Sequence, residues 1–296
     1  MHPVPPAAAC ASTVALPRTN RPKPTAAPRR LCRPVSKRRW LTPVLLGLVL
    51  SSAALGSARA APSVKPYTIV AFGDSTTAPR GTLVVYPNLL QNELIVRDRP
   101  VRVINAGIGG NTTSAALARL AAEVLAHRPD LVVVQFGIND SAVDVWKNPP
   151  AVEPRVPLEQ FEANLRGIVQ TLRARSAKVI LMTPNPLRWT LRLRELYHRP
   201  PYDLTVKDGM NVRLRDYAET VRRIARTEKV GLVDIFNAFA DWDTRAEGSI
   251  DALLLDGMHP NEQGHRLVAD LLGAKIAAQD NRVSRKPPAP PPPLRR

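Results

Sequence analysis

"YTIVAFGDSTTAPR", Tyr67 to Arg80, opens as an apolar, β-branched run and breaks at Gly73, where Asp74, Ser75, Thr76 and Thr77 take over. One reading is a turn followed by a helix N-cap, since short hydroxyl and carboxylate side chains satisfy orphan backbone donors. The other makes Ser75 a nucleophile held at the carboxyl end of a strand, the edge where open α/β sheets bind their ligands.

Downstream, short β-branched runs alternate with longer amphipathic ones, which predicts a parallel sheet covered by helices on both faces. Strands are expected at Tyr67 to Phe72, Val101 to Asn105, Leu131 to Phe136, Lys178 to Met182 and Gly231 to Ile235. Helices are expected at Pro87 to Ile95, Thr112 to Ala126, Leu158 to Ser176, Met210 to Glu228 and Glu262 to Ala278. Two long, proline-bearing and aromatic stretches, starting at Asp140 and Pro184, each follow a strand's carboxyl end and are placed to shape a ligand site. There is no internal repeat and no linker, so residues 61–280 read as one domain.

Of the 296 residues, 42 are Lys or Arg and 25 are Asp or Glu, a net charge of +17. Residues 1–60 hold ten of the bases and residues 281–296 hold five, both without an acid, so the middle carries only +2. The excess belongs to the ends, and a nucleic-acid partner for the folded part loses its support.

Residues 1–60 read as a leader with a secretory signal: a basic cluster at Lys37 to Arg39, an apolar stretch from Leu41 to Leu55, and Ala58-Arg59-Ala60 before a cleavage point near Ala60. The apolar run is short for a membrane span, with an uncleaved anchor as the alternative. Arg38-Arg39-Trp40-Leu41 partly resembles a twin-arginine signal and leaves the export route open. The long segment before it fits translation starting later, near Val35. Both cysteines, Cys10 and Cys32, fall in the leader, so the exported protein is expected to have no disulfide, thiol nucleophile or cysteine-based metal site. Residues 281–296 read as a basic, proline-rich, disordered tail. A solvated state is expected for it, with contact to an anionic wall polymer or membrane surface as the alternative.

Three further stretches carry chemistry. "NAGIGGNTTSAALARL", Asn105 to Leu120, sets glycines at 107, 109 and 110 before a helix start; it fails as a phosphate loop, because Thr112 stands where a third glycine would be needed and no G-K-[ST] follows. "VVVQFGIND" ends a strand with Gly137, Asn139 and Asp140, and the Asn139 carboxamide is either a turn former or a donor to an oxyanion. "LLLDGMHPNEQGH" places Asp256 and His259 three residues apart, a spacing that lets a carboxylate fix an imidazole tautomer while the other ring nitrogen faces a serine. A metal site is the rival reading, but these two make a poor zinc set; His265, on the following helix, reads as surface or packing.

Taken in order, Gly73-Asp74-Ser75, the glycine turn ending at Gly110, Gly137-x-Asn139-Asp140 and Asp256-x-x-His259-Pro260 resemble the blocks of the SGNH hydrolases, the GDSL esterase/lipase family, over roughly Tyr67 to Ala278. Thr76 departs from the leucine in the family's name, at a position that is not catalytic. The resemblance implies a flavodoxin-like three-layer α/β/α sandwich with a five-stranded parallel sheet. It implies Ser75 as nucleophile, His259 as general base and Asp256 as its orienting carboxylate, with no cofactor and no metal. The oxyanion hole would be the amides of Ser75 and Gly110, with Gly109 as the alternative, and the Asn139 side chain. The Ser, Asp, His order also fits an α/β hydrolase, but the G-x-S-x-G elbow is absent around Ser75.

Asp74, Trp146, Trp189 and Tyr202 are the candidate substrate-binding residues, Tyr197 lying in the same loops. The expected activity is an exported esterase acting on short-chain or acetyl esters of carbohydrates. Lysophospholipase, lipase or thioesterase activity is the alternative within the family. A non-catalytic carbohydrate-binding module is the alternative of another class, opposed by the intact Ser75, Asn139, Asp256 and His259.

Overall fold

The computed structural model describes residues 64–245 and 248–286; the expected leader, its cleavage point near Ala60, Cys10 and Cys32, and the chain beyond Lys286 lie outside them. The opening stretch forms strand β1 (Tyr67–Gly73), buried along its whole length. It pairs in parallel with β3 (Val101–Gly107) on one side and β4 (Leu131–Gln135) on the other, and the sheet continues through β5 (Lys178–Met182) to β6 (Gly231–Val233). The order β3-β1-β4-β5-β6 is that of a flavodoxin-like doubly wound sheet. Its switch of direction falls at β1, so the segments after β1 and β4 flank the crevice where such sheets bind ligands.

Because the sheet is covered on both faces, its strands are apolar in both registers. On one face Ile69, Ala71, Leu131, Val133 and Ile180 pack against α1 (Tyr86–Glu93), α7 (Ile235–Asp243) and α8 (Glu262–Gln279). On the other Val70, Phe72, Val132, Val134 and Leu181 pack against α2 (Thr113–Glu123), α4 (Leu158–Ala174) and α6 (Leu214–Thr227). In α4 the buried residues Phe161, Leu165, Ile168 and Leu172 recur at three- and four-residue spacing, the stripe that fixes its orientation. Asn261 opens α8 by accepting from the Gly264 amide at 3.0 Å, and Thr112 does the same for α2.

Three expectations are corrected. The strand placed at Gly231 to Ile235 ends at Val233, because Asp234 caps α7, accepting from the Asn237 amide at 3.2 Å, while Phe239 buries in the core. The two long stretches fold on themselves: α3 (Ile138–Ser141) and α5 (Leu191–Leu196) close over a third cluster containing Val143, Val145, Leu187, Tyr197 and Met210. The segment expected to be disordered from residue 281 is ordered at its start, because Val283–Arg285 forms β7, antiparallel to β2 (Leu94–Val96). Val283 is buried there, and Arg285 reaches Glu93 at 2.6 Å and Asp270 at 2.7 Å. Three residues are too few for alternation to show in the sequence, and their charges looked like part of the basic tail.

Phe72 is fully buried, meets Phe136 edge-on at 5.2 Å between ring centroids and lies 4.5 Å beneath the Arg119 guanidinium. Phe72→Ala is expected to lower unfolding stability by about 3–5 kcal/mol. Urea denaturation followed by circular dichroism measures it, and a loss below about 1 kcal/mol would mean that this face of the sheet is not close-packed.

Candidate active site

The break at Gly73 has a steric cause: a Cβ there would collide with the Thr77 side chain and crowd the Gln135 carbonyl. Beyond it Asp74 organises a turn, its backbone carbonyl accepting from the amides of Thr77 (3.2 Å) and Ala78 (3.0 Å). Its Oδ1 accepts from the amide (2.9 Å) and hydroxyl (2.8 Å) of Thr76. Ser75 is thereby held half-exposed at the carboxyl end of β1.

At the other end of the domain, the Asp256 turn is stapled to itself. Leu255 N donates to the His259 carbonyl at 2.7 Å, and Asp256 Oδ1 accepts from the amides of Met258 (3.1 Å) and His259 (2.9 Å). Asp256 Oδ2 lies 2.8 Å from His259 Nδ1, and His259 Nε2 lies 2.9 Å from Ser75 Oγ. Burial alone would raise the Asp256 pKa, but the hydrogen bonds from the His259 ring and backbone and from Met258 outweigh it and hold the carboxyl well below the usual range. An ionised Asp256 only accepts, so the Nδ1 hydrogen lies on the aspartate side and Nε2 is left to accept from the Ser75 hydroxyl. A hydroxyl in contact with such an imidazole can lose its proton as it attacks a carbonyl.

Facing Ser75 are the glycine turn and Asn139. Among the described residues the backbone amides of Ser75, Gly109 and Gly110 make no hydrogen bond, and Gly109 and Gly110 are exposed. Gly110 has φ +75°, a left-handed conformation that favours glycine, and Gly109 lies against the Ser75 side chain. Asn139 Nδ2 lies 3.1 Å from the Asn111 carbonyl and 3.4 Å from Asp74 Oδ2, while its Oδ1 accepts from Arg155 Nη1 at 3.1 Å. Arg155 is itself held by Asp144 through contacts of 2.7, 3.0 and 3.1 Å.

The other expected ligand residues divide. Asp74 is 1% exposed and its oxygens face Thr76 and Asn139, so it shapes the site from beneath rather than meeting substrate. Trp189 is corrected likewise: its indole N–H reaches the carbonyls of Asp203 (3.3 Å) and Val206 (3.1 Å), which pins the second long loop. Trp146 is 48% exposed beside Lys147. Tyr202 alone of the three aromatics lines a cavity of about 190 Å³ that opens beside Asn139, bounded also by Tyr197, Met258 and Arg155. His265 is buried and accepts from the Tyr86 amide at 3.3 Å; burial, with the charges of Arg80 and His259, pushes its pKa down to about 4, so it packs as a neutral ring. Larger hollows of about 280 and 520 Å³ border Lys178 and Tyr67, at the amino ends of their strands and away from Ser75.

Two residues, Arg119 and Arg155, escaped sequence reasoning, and a third, Asp140, was read only as part of the Gly137-x-Asn139-Asp140 block. Arg119 donates to the carbonyls of Gly73 (2.9 Å) and Ala106 (2.8 Å) and to Asn111 Oδ1 (2.7 Å), tying the ends of β1 and β3 to the glycine turn. Its signal was an arginine in the apolar stripe of α2 beside Ala116 and Leu120. Arg155 sits in a proline-rich loop with no period to betray it. Asp140, fully buried, accepts from the Thr113 hydroxyl (2.6 Å) and amide (2.8 Å) with Oδ1, while Oδ2 has no partner.

Comparison with known proteins shows the family. The profile of the GDSL-like Lipase/Acylhydrolase family matches residues 71–267. An uncharacterized lipoprotein of Bacillus subtilis, YqeF, is 31% identical over 214 residues, 68% of this chain and 85% of the relative. An acetylxylan esterase of Geobacillus stearothermophilus is 31% identical over 172 residues, 57% of this chain and 69% of the relative. The crystal structure of that organism's acetylxylan esterase superposes with TM-score 0.56 and 26% identity over 72% of this chain and 95% of its own. Its alanine variants at a serine, an aspartate and a histidine are described as catalytic mutants. A lipase/acylhydrolase from Enterococcus faecalis gives TM-score 0.54 and 27% identity over 75% of this chain and 99% of its own.

Burial raises the Asp140 pKa from 3.8 to about 6, partly offset by the Thr113 hydrogen bonds, with the Asp74 charge adding to the rise. The folded state therefore keeps a proton between about pH 4 and 6 that the unfolded chain has released, so this group's contribution to stability is lost as pH rises through that window. Asp140→Asn, which mimics the protonated carboxyl, is expected to remove that dependence. The test compares urea midpoints of wild type and variant across the window; parallel curves would show that Asp140 does not titrate there.

Proposed function

Because this chain belongs to the GDSL-like lipase/acylhydrolase family and is an ester-bond hydrolase, we propose that it acts through Ser75, His259 and Asp256 on short-chain or acetyl esters of carbohydrates, after export. The observation that carries the reading is the unbroken chain of contacts from Asp256 Oδ2 to His259 Nδ1, 2.8 Å, and from His259 Nε2 to Ser75 Oγ, 2.9 Å.

In the proposed course Ser75 Oγ attacks the ester carbonyl carbon as its proton passes to His259 Nε2, and Asp256 stabilises the imidazolium. The carbonyl oxygen, now an oxyanion, takes hydrogen bonds from the amides of Ser75 and Gly110 and from Asn139 Nδ2, which exchanges its long 3.4 Å contact with Asp74 Oδ2 for this one. Collapse breaks the bond to the alcohol, whose oxygen receives the His259 proton, and leaves Ser75 acylated. A water deprotonated by His259 then attacks the acyl carbon, and Ser75 leaves with its proton restored. Arg155 positions rather than reacts: its donation to Asn139 Oδ1 fixes which end of the carboxamide faces the oxyanion.

Short substrates are favoured by the cavity beside Asn139, about 190 Å³, below the range of about 300–1,000 Å³ usual for larger ligands. The acetylxylan esterase similarity points to a carbohydrate ester. The basic cluster at Lys37 to Arg39, the apolar run and the site near Ala60 support export, as does a relative named as a lipoprotein.

Hydrolysis of p-nitrophenyl esters from acetate to palmitate tests the reading. Turnover is expected on short chains, with Ser75→Ala more than about a thousandfold slower. Preference for long chains would favour a lipase, and turnover independent of Ser75 would remove the proposed nucleophile. Asn139→Ala is expected to lower kcat by about 100- to 1,000-fold. Arg155→Gln is expected to cost less, with KM little changed; a rise in KM at constant kcat would contradict its role in orienting Asn139.

A further inference from the structure

The cavity beside Asn139 has an unbalanced charge. Its walls are apolar or aromatic except for the neutral Asn139 and Ser141 and two arginines, Arg155 and Arg213, and no carboxylate lines it. Arg155 is committed, with Nε and Nη2 on Asp144 and Nη1 on Asn139. Asp144 is buried and already shared between Arg155 and Lys147, each at 2.7 Å, so it has no charge to spare.

Arg213 is different. It stands at the residue before α6, half-buried, and among the described residues it has no ion pair and no side-chain hydrogen bond. Its Nε is buried without an acceptor. A buried guanidinium N–H without an acceptor is unfavourable, and the fork that Arg213 presents matches a carboxylate. Tyr197 and Tyr202, which line the same cavity, meet edge-to-face at 5.0 Å and give it aromatic surface against which a sugar ring or short chain can pack.

We propose that this cavity binds a carboxylate carried by the substrate, and that Arg213 is the side chain that pairs with it. The carboxylate has two possible sources: the alcohol side of the ester, as in an acylated uronic acid, or the acyl side, as in a dicarboxylic half-ester. The proposal rests on the esterase reading only in placing the reacting ester at Ser75, next to Asn139.

The test measures kcat/KM for matched pairs. On the alcohol side these are an acetylated methyl glucuronoside and its methyl ester; on the acyl side, p-nitrophenyl hydrogen succinate and p-nitrophenyl methyl succinate. Wild type is expected to prefer the free carboxylate in one pair by about ten- to a hundredfold, and the pair in which the preference appears identifies the source. Arg213→Gln is expected to bring that ratio close to one, and Arg213→Lys, which keeps the charge but loses the fork, to retain part of it. No preference in either pair, or the same ratio in wild type and Arg213→Gln, would overturn the proposal.

Calorimetric titration of the Ser75→Ala protein with monomethyl succinate, against dimethyl succinate, and with the free glucuronoside, against its methyl ester, reads the cavity without turnover. Tighter binding of a free acid that is lost on adding Arg213→Gln supports the proposal even if Ser75 proves not to be the nucleophile. Equal binding of acid and neutral ester in both pairs rejects it even if the esterase reading stands.

Discussion

Gly73 pairs with Gly107 on one side and Gln135 on the other, and that register decides where everything else in the site can be. Parallel strands end together, so the segments after β1, β3 and β4 leave the sheet at one edge and side by side. Ser75, the glycine turn and Asn139 come from those three exits. Arg119 then removes the remaining freedom by donating to Gly73 and Ala106 and reaching Asn111. Three of the four stretches that make the site are in this way held together by one sheet edge and one guanidinium, and the fourth reaches them through the His259 contact to Ser75.

That construction buries acid beneath the site. Asp74 and Asp140 both lie under the surface on which Ser75 and Asn139 stand, and burial pushes both upward in pKa. Thr76 explains how Asp74 is accommodated: its hydroxyl lies 2.8 Å from Asp74 Oδ1 and 3.1 Å from Gln135 Oε1. A leucine could make neither contact. The residue that departs from the family's name thus bears on the carboxylate beneath Ser75, and the chemistry proposed for Ser75 is untouched.

The parallel sheet and most strand positions were legible because they rest on a local pattern, a β-branched run bounded by turn residues. The flavodoxin-like order and the proposed roles of Ser75, Asn139, Asp256 and His259 came instead from the order of four short blocks along the chain. Arg119 was half legible, as a charge in an apolar helical stripe. Arg155 was not, since it acts through a contact with Asn139, sixteen residues away, across a loop whose path no period encodes. Trp189 misled because an aromatic in a loop above a site has the same sequence signature whether it meets substrate or, as here, hydrogen-bonds to the loop's own carbonyls. The short β7 misled for a different reason, since three residues gain their place from β2 and not from their own composition.

The molecule separates the parts that must be rigid from the parts that choose. Ser75, His259 and the proposed oxyanion donors stand on strand ends and stapled turns, whereas the cavity beside Asn139 is walled largely by the segments after β4 and β5, which pack into their own apolar cluster. Arg155 joins the two: it lines the cavity and it holds Asn139. A ligand charge that drew on Arg155 would compete with Asn139 and Asp144 for the same donors. An anionic group can be recognised here without disturbing the oxyanion donor only by a second cation, and Arg213 is the arginine of the cavity that carries no such obligation.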